Sequence, residues 1–380
     1  MTSAHPDDGG PLDAVLRAAL TLAVDGRVYP LFAFLFGYGM VQLARSRVGR
    51  GWTPEAIRRT LKRRHLFLLL FGFGHALLLF GGDILGAYGL AGLVLVAIFF
   101  NLRERTILVW AVVFIGLTAS SGLLTILSAV GLWWFVTASP EAGNLGSEDF
   151  SDAMAQAPFG SLADVMAGQA NYLFSALIRV GLWLVSTPGV VLGLTVPGMI
   201  LLGWLAARRG ILEHPAAHRT LLTRVAVAGI AVGWLSAVPS ALQQLGVLAL
   251  PAIVDWAPMS VSYAFGAFAG LGYAALFGLL ATRGREQSPA GRAVAALGQR
   301  SLSGYLWQSI IMAPLLSAWG FGVGARVTTA GVLAIALGVW VASVLLAAWL
   351  ERTGRPGPFE WLLRRLIGRP DAGAAPRPGS

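Results

Sequence analysis

The sequence contains no cysteine. Disulfides, thiolate nucleophiles and cysteine-ligated metals are therefore excluded, and the redox compartment cannot be read from the chain. Charge is scarce as well: 12% of the 380 residues are Asp, Glu, Lys or Arg, against about 25% in an average soluble domain. Lysine is nearly absent, Lys62 standing alone among the 28 basic residues. There is no P-loop, dinucleotide fingerprint or serine-hydrolase elbow, and no cofactor motif. The net charge of +10 resides in arginines beside apolar runs, where membrane topology accounts for it better than nucleic acid does.

Long apolar runs are what the chain has in abundance, with 56% hydrophobic residues and a mean hydropathy of +0.70. These predict an all-α polytopic membrane protein, a helical bundle with interfacial helices. A membrane span needs about 20 apolar residues, and about nine segments qualify or nearly do. They are Tyr29–Leu43, Leu66–Phe80, Ile84–Phe100, Ile107–Ala129, Gly189–Ala206, Val225–Leu245, Val261–Ala281, Leu302–Trp319 and Ala330–Leu350. Residues 29–350 then form the transmembrane domain, with one external loop at 130–171, whose run SPEAGNLGSEDFSDAMAQAPFG is acidic and rich in breakers. Residues 1–28 are expected to be an extracytoplasmic tail with an interfacial helix on Leu12, Val15, Leu16, Ala19 and Leu22. Residues 351–380 make a cytoplasmic tail, disordered after about 369 by composition.

Basic residues of short loops stay cytoplasmic. Placing Arg45–Arg64 inside leaves all but Arg17, Arg27, Arg179 and Arg326 of the 28 basic residues on that side, so the amino terminus is expected outside and the carboxyl terminus inside. No signal-peptide pattern precedes the first run. Between Tyr172 and Ala207, the stretch Ser186-Thr187-Pro188-Gly189 and then Pro197 predict a short helix near the outer interface followed by a true span. Non-helical backbone at membrane depth is tolerated only against protein or a water-filled cavity.

Few polar residues enter the spans. Of the five histidines, His5, His65, His214 and His218 fall in tails or arginine-rich loops, and only His75 is embedded. An intramembrane ionisable residue is a candidate for function, although a neutral imidazole bonded to a neighbouring helix would serve structure alone. Asp83, after Gly81-Gly82, is placed to cap the next helix or to approach His75. The two glycines are expected to supply the positive φ that reverses the chain. Arg179 meets headgroups if its helix is interfacial; otherwise it needs a buried acceptor. Ser301, Tyr305 and Gln308 form one polar stripe, either interhelical glue or a site wall. Arg58, Arg59, Lys62, Arg63 and Arg64 are the positive-inside signal, and could also hold donor phosphates. No second embedded ligand accompanies His75, so no metal site is expected.

The blocks YPLFAFLFGYG (29–39), RRHLFLLLFGFGHALLLFGGDILGAYGLAGL (63–93), LGQRSLSGYLWQSII (297–311) and GPFEWLLRRL (357–366) resemble the membrane family called domain of unknown function 418, the YeiB-like proteins. The resemblance covers nearly the whole chain after Asp25. It implies a helical membrane protein of uncharacterised activity, distantly similar to transmembrane acyltransferases that carry acyl groups from cytoplasmic coenzyme A donors. The opening helix with an Arg-Gly element that such proteins carry has no match in this sequence. His75, Asp83, Tyr88, Tyr305, Gln308 and Glu360 match family positions without assigned roles.

Three functions follow as expectations. In the first, an acyltransferase takes acyl-CoA as donor substrate, with His75 and Asp83 catalytic, Tyr88, Arg179, Tyr305 and Gln308 around a small-molecule acceptor, and Arg58, Arg59, Lys62, Arg63 and Arg64 on the donor phosphates. The second is a small-molecule transporter, for which broken helices and embedded polar residues speak. The third is a non-catalytic membrane accessory protein. In each case the partner is the lipid bilayer, in the cell membrane, and not nucleic acid.

Overall fold

The computed structural model describes residues 9–138, 168–281 and 288–368. Among them there is no strand. In chain order the helices are α1 (Pro11–Ala23), α2 (Val28–Val48), α3 (Pro54–Leu78), α4 (Leu85–Phe99), α5 (Glu104–Ala138), α6 (Tyr172–Leu192) and α7 (Thr195–Arg208). They continue as α8 (Arg219–Leu235), α9 (Val238–Gln244), α10 (Ala257–Ala281), α11 (Pro289–Gln299), α12 (Ser301–Leu316), α13 (Thr329–Arg352) and α14 (Pro358–Ile367). The fold is that of an all-α polytopic membrane protein. Five segments are long and apolar enough to cross a membrane: 11–48, α5, α6, α10 and α13; α8 with α9, bent by 45°, makes a sixth if counted as one span.

In the first helix polarity runs inside out, as lipid permits. In α1 the buried residues are Asp13, Arg17, Ala18 and Thr21, while Leu12 and Val15 are exposed. Water would reverse that choice; hydrocarbon rewards it, because buried polar groups find partners there and apolar side chains lose nothing by facing acyl chains. Asp13 illustrates the gain: its carboxylate accepts from Ala330 N at the start of α13 at 2.8 Å.

The core lies where α2, α4 and α7 meet, around Phe34, Tyr38, Leu95, Val96, Ile200 and Trp204. Glycine brings α2 and α7 together: a Cβ on Gly37 would sit 2.0 Å from Ile200 O, and one on Gly203 1.9 Å from Phe34 O. Small residues let backbones approach where no hydrophobic force drives association.

Arginines gather at one end of the bundle. Arg45 donates to Arg208 O at 2.8 Å and pairs with Glu213 at 3.4 Å, Arg209 pairs with Glu104 at 3.5 Å, and Arg63 donates to Leu366 O at 3.3 Å. The loops expected on one side of the membrane thus meet one another in space.

Several boundaries differ from the sequence reading. Helix α3 begins at Pro54, capped by Thr53 Oγ1 accepting from Ala56 N, so the basic run is helical and His65 lies on a helix, not in a loop. Helix α5 runs to Ala138, well into the loop expected from Val130; residues 139–167 and the tail after 368 lie outside the described residues. Gly189–Ala206 is not one span: Pro188 sits inside α6, and the break falls at Gly193-Leu194. Arg27, expected in an external tail, is wholly buried and donates to Ser262 Oγ at 2.9 Å and Gly233 O at 2.8 Å.

Candidate functional site

Leu61, His65, Leu68, Gly72 and His75 recur at intervals of four and three along α3 and form its buried face. That face packs on α4 through glycines. A Cβ on Gly72 would lie 2.2 Å from Gly86 N, one on Gly89 2.6 Å from Leu69 N, and one on Gly92 2.7 Å from the His65 ring. The helix ends with Leu79 N and Phe80 N both donating to His75 O, at 2.8 and 3.0 Å. Neither Gly81 nor Gly82 takes a positive φ, contrary to the expectation from sequence. Glycine serves space here: a Cβ on Gly82 would press on the Phe80 ring at 2.6 Å.

The turn delivers Asp83 to His75. Nδ1 of the imidazole lies 2.9 Å from Asp83 Oδ1, both side chains fully buried. Asp83 also accepts from Leu85 N at 3.2 Å and Gly86 N at 2.6 Å, the orphan donors at the start of α4. A fourth donor comes from α6, where Trp183 Nε1 lies 3.2 Å from Oδ2. Four donors match the roughly four lone-pair positions of an ionised carboxylate. A neutral imidazole that donates from Nδ1 to a carboxylate carries its lone pair on Nε2. That atom is buried and has no hydrogen-bond partner among the described residues. Capping and contact with His75, read as alternatives from sequence, are both made by one carboxylate.

Arg179 is 2% exposed and faces inward. Nε donates to Ala76 O at 3.1 Å, Nη2 to Leu77 O at 2.9 Å and Nη1 to Ser175 Oγ at 2.7 Å. It caps the last turn of α3, beside His75, with its cation over the rings of Tyr172 and Trp319 at 5.1 and 5.5 Å. Tyr305 comes from α12, its ring 5.0 Å from that of His75, and its hydroxyl accepts from Ile84 N at 3.4 Å.

The other sequence candidates lie apart. Tyr88 donates to Tyr29 O and ties α4 to α2. Gln308 is half-buried, one turn beyond Tyr305. Arg58 donates to Ala97 O at 3.0 Å, and Arg63 to Leu366 O, each on the last turn of another helix. Arg59, Lys62 and Arg63 are exposed and Arg64 is half-buried, with its cation 5.5 Å from the Phe36 ring. At 1.5 Å per residue the run lies about 17–26 Å along α3 from His75. Among the described residues no three His, Asp or Glu side chains come together to hold a metal.

Sequence reasoning passed over Trp183, Ser175 and His65. Trp183 follows Arg179 by four residues, so the shared face was detectable once Arg179 was known to point inward. His65 is fully buried against Phe36, ring to ring at 5.3 Å, and neither ring nitrogen has a hydrogen-bond partner among the described residues. The four-three spacing running through the basic segment was its signal.

Residues 206–370 match the family model described as "Protein of unknown function (DUF418)". The chain is 28% identical over 340 residues to "Uncharacterized protein YxaH" of Bacillus subtilis (strain 168), covering 88% of this chain and 77% of that one. It is likewise 28% identical over 376 residues to "Uncharacterized protein YeiB" of Escherichia coli (strain K12), covering 94% and 85%. The family match and both homologies agree with the resemblance read from the sequence. No solved structure matches the chain significantly.

Proposed function

We propose that this protein is a multi-pass enzyme of the cell membrane in which His75 acts as general base for acyl transfer. Nε2 would take the proton of an acceptor hydroxyl or amine, which attacks the thioester carbonyl of an acyl-CoA. The carbon–sulfur bond breaks and the imidazolium returns the proton to the leaving thiolate. The observation that carries this reading is the buried pair itself: Nδ1 held at 2.9 Å by Asp83 while Nε2 has no hydrogen-bond partner among the described residues. A base oriented by a carboxylate is the arrangement general-base catalysis uses. Tyr305 and Arg179 flank it, and the exposed Arg59 and Lys62 face the side where donor phosphates would sit. That side is the cytoplasm in this reading, with the amino terminus outside. Purified protein incubated with labelled acetyl-CoA and membrane extract should form an acylated product that His75→Gln loses. Absence of product, or equal product from the variant, overturns the proposal.

A transport function is favoured by a different observation. Leu194, between α6 and α7, is the only non-glycine residue with positive φ among the described residues, at φ 65°, a strain of about 1–2 kcal/mol. Thr118 Oγ1 meets the break, 3.5 Å from Gly193 O and 3.4 Å from Thr195 Oγ1. Helices broken at such points line the sites of many transporters. Substrate flux into proteoliposomes that requires the protein but is indifferent to His75→Gln would select this reading over the first.

A further inference from the structure

Arg179 is buried without a counter-ion. Its guanidinium donates to three neutral oxygens, Ala76 O, Leu77 O and Ser175 Oγ, and no carboxylate pairs with it among the described residues. Arg300, also buried, pairs with Glu351 at 2.7 Å, and Arg27 follows Asp25 by two residues. A charge withdrawn from solvent is costly unless an opposite charge meets it. The carbonyl end of α3 offers Arg179 only a partial one. Five N–H groups against three acceptors also leave the guanidinium with donor capacity to spare.

A second donor stands beside it. Trp319 lies in the turn after α12, its ring 5.5 Å from the Arg179 cation and 5.1 Å from the Tyr172 ring. Its Nε1 is buried and has no hydrogen-bond partner among the described residues. The turn that delivers this indole is closely specified: Phe321 N donates to Pro314 O at 2.8 Å, Gly322 N donates to Ser317 O at 3.0 Å, and a Cβ on Gly320 would stand 2.0 Å from Pro314 O. Tyr172 walls the other side of the cation and spends its own proton on Leu78 O at 2.9 Å. Guanidinium and indole are both donors without an accepting atom. The cluster therefore holds a positive charge and an unspent donor, and lacks the acceptor that both require. Tyr172 and Leu78 are 36% and 54% exposed, so it opens at the rim of the bundle.

We infer that Arg179 and Trp319 bind an oxyanion, the carboxylate or phosphate of a small molecule or of a lipid headgroup. Capping α3 accounts for Nε and Nη2 of Arg179; it does not account for an indole left without an acceptor next to an uncompensated cation. An oxyanion supplies charge and lone pairs together, through charge-assisted hydrogen bonds. Arg179 stands one turn, about 6 Å, along α6 from Trp183, whose indole donates to Asp83. An anion at this point would anchor the molecule on which His75 works, which gives the proposed acceptor a class: an alcohol or amine that also carries a negative group. That class rests on the His75 reading, whereas anion binding is measured without turnover and stands or falls separately.

The test uses the full-length protein in neutral detergent, with inorganic phosphate, glycerol 3-phosphate and dihexanoyl phosphatidylglycerol as probes and glycerol as the uncharged control. Binding is read by calorimetry and as a rise in the unfolding midpoint. At least one charged probe should bind saturably, below the concentrations at which phosphate stabilises proteins in general, and glycerol should not. Trp319→Phe keeps a ring over Arg179 and removes the N–H; it should weaken that binding at least about tenfold while the protein without probe stays folded. Arg179→Lys should weaken it too, because an ammonium does not reproduce the guanidinium fork. Glycerol 3-phosphate binding as tightly as the lipid identifies a soluble ligand, and a preference for the lipid that Trp319→Phe abolishes identifies a headgroup. No saturable binding of any charged probe, or an affinity unchanged in Trp319→Phe or in Arg179→Lys, overturns the assignment.

Discussion

The indole of Trp183 donates to Asp83 Oδ2 at 3.2 Å while His75 holds Oδ1 at 2.9 Å. One carboxylate thus links three helices: the end of α3, the start of α4 and the middle of α6. The link forms because Gly86 leaves room; a Cβ there would stand 2.7 Å from the indole. Trp183→Phe keeps most of the shape and removes the donor. It should lower stability by about 1 kcal/mol, read as a fall in the unfolding midpoint in detergent, whereas Gly86→Leu should displace the ring altogether and lower it further.

Asp83 does two jobs, and substitution separates them. Asp83→Leu strands the amides of Leu85 and Gly86 and should destabilise by about 1–3 kcal/mol. Asp83→Asn keeps one acceptor oxygen for the cap but withdraws the carboxylate from His75. It should reduce activity far more than stability, and combined with His75→Gln it should add little further loss. Full additivity in the double variant would show that the two residues do not work together.

Glycines on one helix are not equivalent. A Cβ on Gly72 meets the Gly86 backbone at 2.2 Å, while one on Gly74 meets nothing within 4 Å. Gly72→Ala should destabilise by about 1–3 kcal/mol through overpacking; Gly74→Ala should stabilise by about 0.5–1 kcal/mol through helix propensity. Denaturation of the two variants side by side checks the sign as well as the size.

Arg179 closes the last turn of α3 with two carbonyl contacts. Arg179→Met leaves those carbonyls unsatisfied and should destabilise by about 2–3 kcal/mol. Arg179→Lys should recover only part of this, since an ammonium cannot spread over Ala76, Leu77 and Ser175 as the fork does. Protease accessibility at the α3–α4 turn offers an independent readout.

Topology can be tested on a chain free of native cysteine. Phe80 and Val48 are 47% and 62% exposed at opposite ends of α3 and α2. An impermeant thiol reagent applied to intact cells should modify Phe80→Cys and spare Val48→Cys. Labelling of Val48→Cys alone would invert the orientation proposed here.

Much of this was legible in the residues themselves. Hydrophobic runs of membrane length declare helices, because lipid offers backbone groups no other partners. Gly-Gly-Asp before an apolar run declared a reversal and a cap, and His75, isolated in such a run, stood out as a candidate. Periodicity also carried more than composition suggested: the face bearing Leu61, His65 and Leu68 continues through the basic segment, but the arginines mask it, because charge on the exposed face lowers hydropathy for the helix as a whole.

What the sequence alone determined was local: helix content, arginines sorted to one end, and Asp83 placed just before α4, within reach of its first amides. Which residues meet was decided by tertiary structure. Trp183 reaches Asp83 across 100 residues, Tyr305 reaches Ile84 across 221, and Arg179 finds its acceptors on the end of another helix. The physical reason is that in lipid a polar side chain takes whichever unsatisfied group packing brings near it. That pairing depends on where glycines permit close approach, and distance along the chain does not encode it.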